Sequence, residues 1–191
     1  MTPRLEDKTP RLFLLHDVLS AEECEHYVDL AETQGFRAAP ITTALGPVMM
    51  PTVRNNTRVM IDSIPEAQSL WERVREHIPA RWSELPAHEA VGLNERLRFY
   101  RYDPGQRFNV HRDGHFQRQN GERSFLTVLF FLNEGFKGGE TRVIEPSDAA
   151  TITPRKGSVL FFEHSLLHEG ATLIEGRKYV LRSDLMYRAV M

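Results

Sequence analysis

The sequence predicts an α+β protein that is mainly β, with two helices near the N-terminus and a later run of short strands closing into a sandwich or barrel. Three observations carry this. Ser20, with Glu23 three residues on, forms the capping-box pattern of a helix start, and Cys24, Tyr27, Val28 and Ala31 follow at helical spacing. Leu70, Val74 and Ile78 repeat on one face of a second helical stretch. From about Leu93 onward, short apolar runs alternate with turn chemistry. Helices first and strands afterwards is the order expected of helices packed against a β core.

In chain order, residues 1–10 are polar, contain two prolines and read as a loose arm. Leu12-Phe13-Leu14-Leu15 reads as a short buried strand, and the helix opened by Ser20 should end at Gly35, a natural C-cap. Residues 37–57 are interrupted by Pro40, Gly46, Pro47 and Pro51, yet hold the apolar Val48-Met49-Met50. Such a stretch reads as a lid or substrate loop. Arg58–Asp62 reads as a strand. Ser63 and Pro65 then open the second helix, expected to run to about Ile78, and Pro79 and Pro86 break the chain beyond it. The later strands are expected around Leu97–Tyr100, Ser124–Leu132, Thr141–Ile144, Thr151–Thr153, Val159–Phe162 and Tyr179–Tyr187. Asp103-Pro104-Gly105, Asn120-Gly121, Gly138-Gly139 and Glu175-Gly176 are among the turns between them. The chain has no internal repeat. It reads as a single domain over 1–191, with helical support and lid in 1–92 and the β core in 93–191.

The 191 residues carry 24 basic and 26 acidic side chains, a formal charge of -2. That balance gives no electrostatic footprint for nucleic acid. The local run of Arg96, Arg98, Arg101, Arg107 and Arg112 reads as a solvated strand edge. The one cysteine, Cys24, allows no internal disulfide and falls at a core position of the first helix. No apolar run is long enough to span a bilayer, and the N-terminus lacks the basic-then-apolar layout of a signal peptide. The expectation is a cytoplasmic protein without a membrane partner.

His111-Arg112-Asp113 is the segment richest in chemistry. Residues i and i+2 of a strand point to the same face, so an imidazole and a carboxylate would stand side by side. A third, distant histidine would complete two His and one carboxylate, the facial donor set of non-haem Fe(II) oxygenases, which leaves positions open for a co-substrate and dioxygen. Spacing leaves that third donor open. His115 shares the face only if the strand continues past Gly114, His164 lies at helical spacing from His168, and His168 comes after an apolar strand. Further on, alternation puts Lys178, Val180, Arg182 and Asp184 on one face of a strand. Charges beside valine on an otherwise apolar strand suggest a polar cavity, and buried charges must be paired or bind something.

Taken together, Tyr102-x-Pro-Gly, His111-x-Asp113, Phe131-Leu-Asn133, Gly138-Gly-Glu-Thr141, Pro154-x-x-Gly157, His168-x-Gly170 and Gly176-x-Lys178 resemble the prolyl 4-hydroxylase branch of the Fe(II)/2-oxoglutarate-dependent dioxygenases. The resemblance covers residues 95–187 strongly and Leu12–Ile78 more loosely. It implies a double-stranded β-helix, or jelly roll, with N-terminal supporting helices. It implies iron held by His111, Asp113 and His168, and 2-oxoglutarate as co-substrate with Lys178 on its distal carboxylate. Tyr102 would bond near the co-substrate, and Arg182 would contact 2-oxoglutarate or the primary substrate. Arg54, Asn55 and Asn56, at the end of the lid, are candidate substrate contacts, and ascorbate is a candidate reductant. The implied activity is hydroxylation of a prolyl or other residue in a peptide or protein, with release of succinate and CO2. The same chemistry on a free amino acid or small metabolite, and a non-catalytic cupin-like metal-binding module, are the alternatives. Collagen-type relatives carry Trp after the lysine where this chain has Tyr179, which weighs against a collagen-like substrate. The carboxylate at Asp113 weighs against a halogenase.

Overall fold

The architecture is organised around strands buried on both faces, not on one. The computed structural model describes residues 3–9, 11–43, 45–78 and 87–190. Strand Leu12–His16 is buried along its whole length. Phe13 and Leu15 join one hydrophobic cluster, Leu12 and Leu14 another. Val159–Glu163 divides likewise, with Val159 and Phe161 on one side and Leu160 and Phe162 on the other. A sheet covered on both faces requires this double burial.

That sheet runs in the order Arg4–Thr9, Leu12–His16, Val159–Glu163, Arg123–Phe131, Lys178–Ala189, Arg96–Tyr102, Thr57–Asp62, Arg37–Ala38, with His88–Leu93 also pairing onto Lys178–Ala189. On one face it packs two helices, α1 (Ala21–Gln34) and α2 (Ile64–Val74), through Tyr27, Ala31, Leu70 and Val74. On the other it packs a four-stranded sheet ordered Ala150–Ile152, Thr141–Val143, His168–Gly170, Phe108–His111. Tyr100, Tyr102, Leu160 and Phe162 of the large sheet meet Val143 and Ile152 of the small one. Two antiparallel sheets sharing an apolar interior form the jelly roll.

The first helix starts as the sequence demands. Ser20 Oγ accepts the Glu23 N–H at 3.1 Å, and a Glu23 carboxylate oxygen accepts the Ser20 N–H at 2.8 Å. Gly35 ends it at φ 78°. The second helix stops at Val74, short of the expected Ile78, because its last turn tightens into a 3-10 turn over Arg75–His77. Ile78 is still buried. Pro79 and Pro86 lie outside the described residues.

Three further expectations are corrected. Residues 4–9 are not a loose arm; they pair with Leu12–His16 as an outer strand. The segment 37–57 is more ordered than its prolines suggested: Arg37–Ala38 edges the large sheet, and Ile41–Thr43 pairs with Gly46–Val48 as a hairpin. His88–Leu93 adds a strand that begins before Leu93 and pairs antiparallel with Lys178–Ala189. Among the described residues, no helix is long and apolar enough to cross a membrane.

Candidate active site

The site forms where the small sheet faces the large one. His111 and His168 are direct partners across the pair of strands Phe108–His111 and His168–Gly170. Residues facing each other in an antiparallel ladder project to the same side, so the register itself brings the two rings together, with centroids 4.2 Å apart. The strand ends at His111, so Asp113 is not placed by strand alternation as its spacing suggested. Its N–H donates to the His164 carbonyl at 3.1 Å, and its Oδ2 accepts the Thr127 hydroxyl at 2.6 Å. Held in this way, Asp113 Oδ1 lies 3.7 Å from His111 Nε2, and Oδ2 lies 3.6 Å from His168 Nε2.

Both rings have the same tautomer. His111 Nδ1 lies 2.8 Å from the Asn109 carbonyl, and His168 Nδ1 lies 2.9 Å from the Leu166 carbonyl. A carbonyl only accepts, so each Nδ1 carries the proton and each Nε2 turns a lone pair toward Asp113. Phe108 stacks on His111 and the edge of Phe162 meets His168, fixing the ring planes. Burial lowers the pKa of His111 to about 4 and lowers that of His168, so both are neutral at pH 7. Burial would raise Asp113, but Arg182 foremost, then the two histidines, hold it well below the usual carboxylate range. The three donor atoms lie within 4.8 Å of one another. Two neutral imidazoles and one ionised carboxylate, all preoriented, are donors that fit a divalent metal such as Fe(II).

His164, the rival third donor, is turned elsewhere. Thr127 gives its proton to Asp113 and so accepts from His164 Nδ1 at 2.9 Å. That leaves His164 Nε2 to accept from Ser124 Oγ at 2.9 Å, and Ser124 Oγ in turn accepts the Phe116 N–H. This chain of oriented bonds behind Asp113 carries no sequence signal, because Ser124 and Thr127 are unremarkable in sequence and meet His164 only in space. His115 has no place among the three clustered donors.

Lys178 faces Tyr102 across the ladder. It is 3% exposed; Nζ donates to the Gly139 carbonyl and lies 5.3 Å from the centroid of the Tyr102 ring. No carboxylate pairs with it among the described residues, and burial lowers its pKa to about 7. Gly139 has φ +71°, and a Cβ there would lie 3.3 Å from Lys178 Cδ, so the glycine also keeps room for the lysine stem. Burial pushes the Tyr102 phenol up to about 12.

Arg182 projects into the same interior but is already committed. Nη1 donates to Asp113 Oδ1 at 2.6 Å and Nη2 to Asp184 Oδ1 at 3.1 Å. Arg54 lines the groove outside the metal donors, its guanidinium 4.5 Å from the Tyr100 and Phe108 ring centroids. Asn55 and Asn56 do not line that groove. Asn55 Oδ1 accepts the Arg107 N–H, while Asn56 Oδ1 accepts Arg54 Nε–H and Asn56 Nδ2 donates to the Thr57 carbonyl. Both shape the segment that presents Arg54. The groove holds about 560 Å³, within the range of ~300–1,000 Å³ usual for ligand sites. Pro40, Ile41 and Thr42, leading into the hairpin, form one wall.

Fold and donor set together define the class: a jelly-roll protein that presents a two-histidine, one-carboxylate face suited to a divalent metal, with a buried lysine in the same cavity. The sequence profile of the 2OG-Fe(II) oxygenase superfamily matches residues 97–183. The chain is 24% identical over 200 residues to prolyl 4-hydroxylase 1 of Arabidopsis thaliana, covering 93% of this chain and 69% of that protein. Among solved structures it resembles the viral collagen prolyl hydroxylase of Paramecium Bursaria Chlorella virus-1 in its 2OG complex, with a TM-score of 0.64, 21% identity, and 92% and 96% of the two chains covered. It also resembles a Trichoplax adhaerens prolyl hydroxylase in complex with a hypoxia inducible factor peptide fragment, with a TM-score of 0.70, 16% identity, and 93% and 84% covered.

Proposed function

We propose that this chain is an Fe(II)- and 2-oxoglutarate-dependent hydroxylase acting on a prolyl or other residue of a peptide or protein, with His111, Asp113 and His168 as the metal ligands. The observation that carries the reading is the pair of Nε2 lone pairs turned on one ionised carboxylate, with a buried lysine in the same cavity that makes no ion pair among the described residues. Lys178 would hold the distal carboxylate of 2-oxoglutarate, whose charge supplies the partner the ammonium lacks. Tyr102, beneath that ammonium, would shape the co-substrate end of the cavity. Bound together, iron and 2-oxoglutarate supply the dioxygen chemistry that hydroxylates a C–H bond and yields succinate and CO2.

The protein contributes positioning. The His111–His168 register and the Thr127 hydroxyl hold the donors, and the apolar interior keeps water from the reaction. The groove beside the donors, bounded by Pro40–Thr42, is the place for the primary substrate. The peptide substrate draws support from the prolyl hydroxylase relatives. A cytoplasmic setting draws support from the single buried cysteine, ascorbate is proposed as the reductant, and the whole chain is proposed to work as one domain.

Succinate release from 2-oxoglutarate that requires Fe(II) and dioxygen is the direct test. His111→Ala or Asp113→Ala should abolish it while the far-ultraviolet dichroism stays native. Wild-type protein that binds iron but never forms succinate would leave only a metal-binding module, and full activity in either variant would overturn the ligand set.

A further inference from the structure

The groove outside the metal donors carries more positive charge than the protein neutralises. Among the described residues five arginines line it, and three are paired: Arg98 with Asp184, Arg182 with Asp113 and Asp184, and Arg112 with Glu145. Arg54 and Arg58 are not. Arg54 is 4% exposed; it gives Nε–H to the neutral Asn56, and its buried Nη2 has no hydrogen-bond partner. Arg58 is half-buried and has no side-chain hydrogen bond or ion pair among the described residues. Among those residues the only carboxylate lining the groove is that of Asp113, which the metal would claim.

The rest of the site responds to this surplus. Burial would push the Tyr100 phenol up, yet the positive field of Arg182, Arg54 and Arg98 lowers it instead. Burial, and behind it the fields of Arg54, Arg98 and Arg182, lowers the pKa of Arg58 even against the favourable influence of Tyr100. Desolvated cations without counter-ions are costly, and a bound anion removes the cost. That anion is not the distal carboxylate assigned to Lys178. Lys178 and Arg182 are four residues apart on one strand, about 13 Å at ~3.3 Å per residue. Arg58 pairs with Tyr100, and Tyr100 with Val180, between those two levels and two strands away from Lys178–Ala189.

Resting on the hydroxylase reading above, we propose that the primary substrate carries a carboxylate close to the residue oxidised, and that Arg58 and Arg54 bind it. An acidic residue beside a target proline and the α-carboxylate of a short substrate present the same chemistry, and matched probes separate them. The full-length protein, loaded anaerobically with Fe(II) and 2-oxoglutarate, is titrated calorimetrically with N-acetyl-prolyl-glutamate amide against N-acetyl-prolyl-glutamine amide. A second pair is N-acetylproline against N-acetylprolinamide.

The charged member of one pair should bind at least tenfold more tightly. Preference in the first pair identifies a side-chain carboxylate, and preference in the second an α-carboxylate. The preference should shrink to less than threefold in Arg58→Gln, return in Arg58→Lys, and weaken in the wild type as sodium chloride rises, a readout independent of whether a variant folds. Equal binding within both pairs, no binding by any probe, or a preference that survives Arg58→Gln overturns the proposal. If 2-oxoglutarate itself neither binds nor yields succinate, the hydroxylase reading fails, and the same titrations on the unloaded chain still test the anion site.

Discussion

Arg182 Nη1 lies 2.6 Å from Asp113 Oδ1, and the same guanidinium reaches Asp184 on its other side. One buried arginine therefore neutralises the carboxylate proposed as a metal ligand and a second carboxylate behind it. Removing one member of a buried charge network leaves the others uncompensated, at a cost of about 3–5 kcal/mol. Arg182→Gln should lower the melting temperature of the metal-free protein sharply. Added Mn(II) should restore more of the loss than it adds to the wild type, because the metal takes over the charge on Asp113. Equal metal-induced stabilisation in the two proteins would show that Arg182 does not govern Asp113.

Thr127 is the other restraint on Asp113. Thr127→Val keeps the shape and removes the 2.6 Å hydrogen bond, together with the link to His164. Bonds that orient a metal ligand are worth roughly 10–100-fold in affinity or activity. Competition against a fluorescent chelator should show a loss of that size with little change in fold. Unchanged metal affinity would remove the chain behind Asp113 from the mechanism.

As the proposed partner of 2-oxoglutarate, Lys178 should make binding of that co-substrate depend on pH. In the ligand-free protein burial holds it at about 7, so it is mostly neutral at pH 8, and pairing with a carboxylate then requires taking up a proton. Affinity for 2-oxoglutarate should be flat below pH 7 and fall above it, by about tenfold per unit at the limit of one proton bound. The unfolded chain holds its lysine proton up to ~10.4, so it binds more protons than the native state between 7 and 10.4, and the stability of the ligand-free protein should rise with pH across that window. Both dependences should vanish in Lys178→Met; persistence of either would assign it to another group.

Gly157 tests the fold away from the site. It has φ +79°, and a Cβ there would stand 2.3 Å from the Leu19 carbonyl oxygen. The Gly157 carbonyl also accepts the N–H groups of Val18 and Leu19, so backbone on both sides fixes the approach. Gly157→Ala should cost about 1–3 kcal/mol in denaturant unfolding. A neutral result would mean that the turn before Val159–Glu163 relaxes freely.

Local chemistry was legible where the signal is local. The Ser20–Glu23 capping box, the Gly35 stop and the strand Leu12–Leu15 needed only neighbouring residues. The Arg4–Thr9 strand and the Ile41–Val48 hairpin were missed because pairing, not side-chain pattern, defines them. The same holds inside the site: His111-x-Asp113 was visible as a spacing, but Asp113 is placed by Thr127 and the His164 carbonyl, fourteen and fifty-one residues away.

By itself the sequence determined which chemical groups were on offer and which strand faces would be charged or apolar, because alternation and capping arise from covalent geometry. Tertiary structure alone decided which groups share one point in space. The register of Phe108–His111 against His168–Gly170 chose His168 over His164, and the stacking of Thr57–Asp62 beside Arg96–Tyr102 gathered Arg58 with arginines from other strands. Electrostatic energies depend on separation and burial, and neither is fixed until the strands have found their partners.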